Sequence, residues 1–199
     1  MKKTISSILT VIIIIVMTGC AADTSSVSFE EVQQMAKKEI PDICLMLAEN
    51  WDENNLSRPE ESFLIHNAQR LYNRDNGEEM PTVDVSEDQF GVSKGIEIDV
   101  LIPVITKYFP FSEKMLRDSF EKSIVYDAQT DAVVPSDGFG WYLRVAVHDI
   151  TDNQDGTYDI SYSLDGTEDV PEYIGIVKAK VHPDGYMQFI SNAVDCVRN

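Results

Sequence analysis

The chain is poor in the residues that carry most protein chemistry. It has 3 cysteines in 199 residues, and none forms a Cys-x-x-Cys or a Cys/His pair. Redox and zinc motifs of ordinary spacing are therefore excluded. Its 3 histidines, His66, His148 and His182, show no ligand spacing and no HExxH pattern. Each reads as a surface or rim histidine, so no metal and no cofactor is expected. Basic residues are scarce as well: 16 Lys and Arg stand against 34 Asp and Glu, a formal net charge of -18. Phosphate backbones need a basic face, so nucleic acid is excluded as a partner. Anionic lipid head groups repel the same charge. A cationic envelope protein, a small ligand or a solubilising surface fits it better.

The N-terminus is the most informative stretch. Lys2 and Lys3 precede an apolar core from Ile8 to Met17, broken only by Thr10. That core is too short for a membrane-spanning helix, which needs ~20 residues, and fits the apolar region of an export signal. Met17-Thr18-Gly19-Cys20 follows it. Small side chains at Thr18 and Gly19 admit a peptidase beside the cut, and the Cys20 thiol is a nucleophile that can take a diacylglycerol. This segment resembles the lipobox of bacterial lipoproteins, with Met17 in place of the usual Leu, Val or Ile. The resemblance implies a signal peptide over 1–19, lipidation at Cys20, a tether over 20–27 and a domain over 28–199. It also implies an extracytoplasmic protein attached to the cell membrane by lipid. Losing the signal removes only Lys2 and Lys3, which leaves 14 basic against 34 acidic residues, near -20.

Two further cysteines, Cys44 and Cys196, could close a loop after export. Such a bridge would stabilise by roughly 5 kcal/mol in the chain-entropy model. Cys44, however, lies among Ile43, Leu45, Met46 and Leu47, where a buried free thiol is equally natural. The free thiol is the slightly favoured expectation.

The first half of the domain has helical periodicity. Ser28 and Glu31 form a capping box, with Val27 and Val32 placed as a hydrophobic staple. Apolar residues recur at Phe29, Val32, Ala36, Ile40, Ile43 and Leu47, and Pro41 should split this helix. Ser57 and Glu60 predict a second capped helix through Phe63, Leu64, Ala68 and Leu71. Arg70 and Arg74 suit its C-terminus, and Asn76-Gly77 stops it. A short strand is expected around Thr82 to Val85, a helix from Asp99 to Tyr108, and a short helix capped by Ser112.

The second half alternates with period two. Trp141, Leu143, Val145 and Val147 point one way, and Tyr142, Arg144 and His148 the other. Tyr158 to Leu164, Tyr173 to Val181 and Tyr186 to Ala193 repeat the pattern. Asp155-Gly156, Asp165-Gly166 and Asp184-Gly185 between them are hairpin signals. The expected fold class is α+β, with N-terminal helices packed on a curved antiparallel meander of four to five strands.

This order of elements resembles the cystatin-like cone fold, also called nuclear transport factor two-like. The residues carrying the likeness are Tyr108-Phe109-Pro110, Tyr126-Asp127, Asp137-Gly138-Phe139-Gly140-Trp141 and the Asp-Gly turns. The chain also resembles the small lipoproteins of Gram-positive bacteria that have no assigned activity. Such folds often enclose a pocket and host both binders and enzymes, and the likeness brings no catalytic residue with it.

No catalytic group is assigned. Asp152 to Gly156 looks like a calcium loop, but its spacing fails and a hairpin turn explains it better. Phe139, Trp141 and Tyr142, set among glycines, are the candidate contact for a ligand or partner, against a core role for Trp141. The expected function is a lipid-anchored binding or interaction module without catalysis. The alternatives are an envelope hydrolase using a pocket carboxylate or His148, an inhibitor of a cell-wall hydrolase, and a purely structural lipoprotein.

Overall fold

Ser28 starts the first helix as the sequence requires. Its Oγ accepts from the Glu31 N–H at 3.3 Å, and Glu31 Oε2 accepts from the Ser28 N–H at 2.7 Å. Helix α1 (Phe29–Glu39) runs from this cap, and Pro41 converts the chain to a 3-10 turn over Ile40–Ile43. The computed structural model describes residues 27–53, 61–86, 94–135, 144–165 and 172–198. Cys20 and its tether up to residue 26, the Ser57–Glu60 box, the Gly166 turn and the Phe139, Trp141, Tyr142 cluster lie outside the described residues.

Helix α2 (Glu61–Asn76) ends at Gly77, whose φ of 70° supplies the left-handed turn that other residues resist. Strands β1 (Val83–Asp84) and β2 (Lys94–Glu97) lead into helix α3 (Ile98–Tyr108). The expected helix to Tyr108 is present, and a strand that the sequence did not announce runs directly into it. The helix starts one residue earlier than expected. Glu97 occupies the cap position without a side-chain bond, and Asp99 lies inside the first turn. Helix α4 (Glu113–Phe120) is capped by Ser112, whose Oγ accepts from the Met115 N–H. Strands β3 (Tyr126–Asp127) and β4 (Ala132–Val133) complete a small antiparallel sheet in the order β1-β2-β4-β3. The sequence reading expected one of these four short strands and missed the sheet.

The main sheet is the expected antiparallel meander. Strands β5 (Arg144–Asp152), β6 (Thr157–Asp165), β7 (Glu172–Val181) and β8 (Met187–Arg198) pair in sequence order. The fold class is α+β, with helices ahead of this meander. Tyr158, Ile160, Tyr162, Leu164, Val177, Ala179, Met187 and Phe189 point inward onto the helices. Phe109, Trp51 and Phe111 meet them, and Phe109 packs within 6.0 Å of the Phe189 ring. The interface between helices and meander is thus filled with side chains, and burial of this apolar area is the main stabilising term.

A polar clasp crosses this core. Asn192 on β8 exchanges backbone hydrogen bonds with Trp51, at 2.9 and 3.1 Å. Its side-chain Nδ2 donates to the carbonyls of Leu47 and Glu49. The Tyr162 hydroxyl lies 2.7 Å from both Leu47 O and Asn192 Oδ1, and its one proton serves either. The clasp satisfies carbonyls that the irregular segment Met46–Ala48 would otherwise bury unpaired.

Gly175 is the glycine this clasp requires. A Cβ there would stand 2.4 Å from the Tyr162 hydroxyl and 2.8 Å from the Ala193 carbonyl, and backbone cannot step aside. Gly175→Ala is expected to cost about 2 kcal/mol, read as a lower urea midpoint. A loss under about 0.5 kcal/mol would show that Tyr162 moves freely.

Candidate functional site

The candidate site lies where α1 meets the turn between β7 and β8. A groove of about 560 Å³ is lined by Val27, Glu31, Gln34, Met35 and Lys38 on one side and by Pro183 and Gly185 on the other. The turn is built by Gly185 at φ 81° and by the Gly185 N–H bond to the His182 carbonyl at 3.0 Å. Glu31 is already committed to the α1 cap.

Directly behind the groove, through the neighbours of Lys38 and Gly185, a charged network joins three helix C-termini to the turn. Glu39 ends α1 and is only 3% exposed. Its Oε2 accepts from the Met187 N–H at 3.1 Å and stands 3.8 Å from Arg74. Arg74, in the last turn of α2, also reaches Asp42 at 3.2 Å, Asp75 at 2.9 Å and the Tyr108 hydroxyl at 2.8 Å. Lys107, near the end of α3, donates to Asp75 at 2.6 Å, and Tyr108 donates to the same carboxylate. Lys107 lies over the rings of Tyr108 and Tyr186, at 4.7 and 5.0 Å. His182 stacks on Tyr186 at 4.5 Å. Cations at helix C-termini match the helix dipole, which is why the sequence places Arg74 and Lys107 there.

Burial pushes the Glu39 carboxyl above its usual range, against the opposing pull of the Met187 N–H and Arg74. Asp75 goes the other way. Burial opposes its ionisation, but hydrogen bonds from Lys107, Tyr108 and Arg74 outweigh that and hold its carboxyl below the usual range. Two acids with pKa values pushed apart are the pattern of an acid/base pair. Here the reactive atoms are spent: Glu39 holds a backbone amide and an arginine, and Asp75 accepts from three donors. The arrangement ties elements together and leaves no reacting group aimed into the groove.

The other sequence candidates are separated in space. His148 is exposed on β5, 2.9 Å from the Ser163 hydroxyl, and does not line the groove. His66 is on α2 and His182 is in the turn just described. Asp152 and Asp155 cap their own turn by accepting from the amides of Gln154 and Thr157. No group of three His, Cys, Asp or Glu among the described residues is placed to hold a metal ion. Cys44 is a buried free thiol that accepts from Arg70 at 3.3 Å, and burial raises its pKa. Cys196 is in no disulfide and is exposed near the end of β8.

Two spacings bear on serine chemistry all the same. Gly91-Val92-Ser93-Lys94-Gly95 matches Gly-x-Ser-x-Gly, the nucleophile elbow. Ser93 is outside the described residues, and Lys94–Glu97 continues as a strand. An elbow needs the helix to start at the serine, so the context fails. Ser119 and Lys122 have Ser-x-x-Lys spacing, but the Ser119 hydroxyl donates to Glu61 at 2.9 Å and Lys122 is exposed.

No protein-family model, no curated protein and no solved structure matches the chain. The site must be read from its own geometry. The Glu39–Arg74 network was missed in the sequence because its members are 35 residues apart and nothing local marks them. Arg74 alone carried a signal, as a cation at a predicted helix end.

Proposed function

We propose that the chain is an extracytoplasmic interaction module, held to the cell membrane by lipid on Cys20 and performing no chemistry of its own. One observation carries the reading. Glu39, Asp75, Asp127 and the Cys44 thiol are bound into structural contacts, while apolar side chains stand exposed on the outer face of the meander. Ile174 and Ile176 on that face are each 51% exposed. Exposed apolar residues gathered on one face mark a contact surface. The export signal and its cysteine support the location, and the charge near -20 supports a cationic envelope partner, such as a basic cell-wall hydrolase that the module would restrain.

No helix among the described residues is long and apolar enough to cross a membrane. Attachment therefore rests on Cys20 in this reading. Cys20→Ser is expected to move most of the protein from the membrane pellet to the soluble fraction, since one diacylglycerol supplies the binding energy. Unchanged partitioning would remove the proposed location. Capture of a basic muramidase at low salt, lost at about 0.5 M salt where the Debye length is a few ångströms, tests the partner class.

A further inference from the structure

We propose that, given the lipid on Cys20 proposed above, the domain stands on the bilayer by one end of the meander. The β5–β6 and β7–β8 turns face the lipid, and the opposite end is turned outward to the partner. Register defines the two ends. Thr157 lies opposite Lys180 and Val181 opposite Met187, so both turns close the same end of the sheet. Arg144 opposite Asp165, and Tyr173 between Leu164 and Cys196, mark the other end.

The chain enters the domain at the turn end. Helix α1 touches both β5 and β8, the two outermost strands, and so lies across the sheet. Its length of about 16 Å matches three strand spacings of ~4.8 Å. Val27, just ahead of it, lines one groove with Pro183 and Gly185 of the β7–β8 turn. Glu39, at its other end, accepts from the Met187 N–H where β8 begins. Both ends of α1 are thus tied to the turn end of the meander.

Lengths then set the orientation. The steps from Cys20 to Val27 amount to at most about 25 Å of chain. Strand β7 alone spans roughly 33 Å. A body anchored by one end loses the orientations that would drive it into the bilayer, so its other end points away. The charge near -20 adds repulsion from anionic head groups. The groove beside Val27 then lies within about 25 Å of the lipid. A folded partner of similar size is about 40 Å across and does not fit beneath the domain. Ile174 and Ile176 belong to the outward half of β7, opposite Asp195 and Ala193. The partner therefore meets the isoleucines and not the groove.

The test uses the full lipidated chain in phosphatidylcholine vesicles whose head groups carry an energy acceptor. One preparation bears a donor dye on the exposed thiol of Cys196, while the buried Cys44 stays unlabelled. Two others carry Cys196→Ser with the dye at Asp184→Cys or Thr151→Cys, both exposed near the turn end. Transfer from either turn-end position is expected to exceed that from Cys196 at least about threefold, because roughly 30 Å of strand separates them. Melting curves confirm that each labelled variant is folded. Equal transfer from the two ends, or more from Cys196, overturns the orientation and leaves the lipid anchor standing. A chain that does not float with the vesicles removes the anchor, and the orientation falls with it.

Discussion

Arg74→Ala is expected to lose about 3 kcal/mol of unfolding free energy at neutral pH, and clearly less at about pH 5. Arg74 is the common partner of Glu39, Asp42, Asp75 and Tyr108. Removing it leaves the buried Glu39 carboxylate without a nearby opposite charge, and breaking one side of such a pair costs more than the pair contributes. The pH dependence follows from the two acids. Glu39 titrates above its ordinary value in the folded protein. Its contribution is most favourable at low pH and is lost as pH rises through the folded pKa. Without Arg74 that loss grows. Asp75 titrates below its ordinary value, so its contribution is present above the unfolded pKa and is lost as pH falls through the folded one. It also loses two hydrogen bonds from Arg74 in the variant. The Asp75 loss is the same at about pH 5 and at neutral pH, because that carboxyl titrates below both, so the growth of the deficit toward neutral pH comes from Glu39. Urea denaturation of wild type and variant between about pH 5 and pH 7.5 measures it, and a pH-independent difference would contradict the account of Glu39.

Asn192→Ala should be comparably damaging, at about 3 kcal/mol, with little pH dependence. The side chain holds the carbonyls of Leu47 and Glu49 and lies 2.7 Å from the Tyr162 hydroxyl. Alanine leaves those carbonyls with fewer donors inside the core. It also leaves a cavity beside Tyr162, which is 1% exposed. The urea midpoint falls while the slope stays unchanged if the denatured state is unaffected. The deficit should couple to Gly175→Ala, because both changes act through Tyr162 and neighbours sharing a partner are not additive. A loss below about 1 kcal/mol would mean that water replaces the amide, and the clasp would not be what holds Met46–Ala48 to the sheet.

These sites also show where sequence reasoning stops. The Ser28 cap, the break at Pro41, the end at Gly77 and the meander were legible because each depends on residues within a few positions of one another. Capping bonds span three residues, proline acts on its own turn, and strand alternation repeats every second position. The small sheet was hidden because two-residue strands such as Tyr126–Asp127 and Ala132–Val133 carry no period. The start expected at Asp99 was displaced for a related reason. Helix α3 starts one residue earlier, at Ile98, whose N–H bonds the Asp131 carbonyl at 2.9 Å, a partner no local pattern names.

Taken alone, the order of residues determined the acidic balance, the α+β class and the turns at Asp155-Gly156 and Asp184-Gly185, all of them consequences of composition or short-range stereochemistry. The tertiary structure decided which polar groups are spent. It buried Glu39 against Arg74, drew Asn192 under Trp51 and left His148 on an open face. Those outcomes depend on distances between residues far apart in the chain, and such distances exist only after the apolar core has closed.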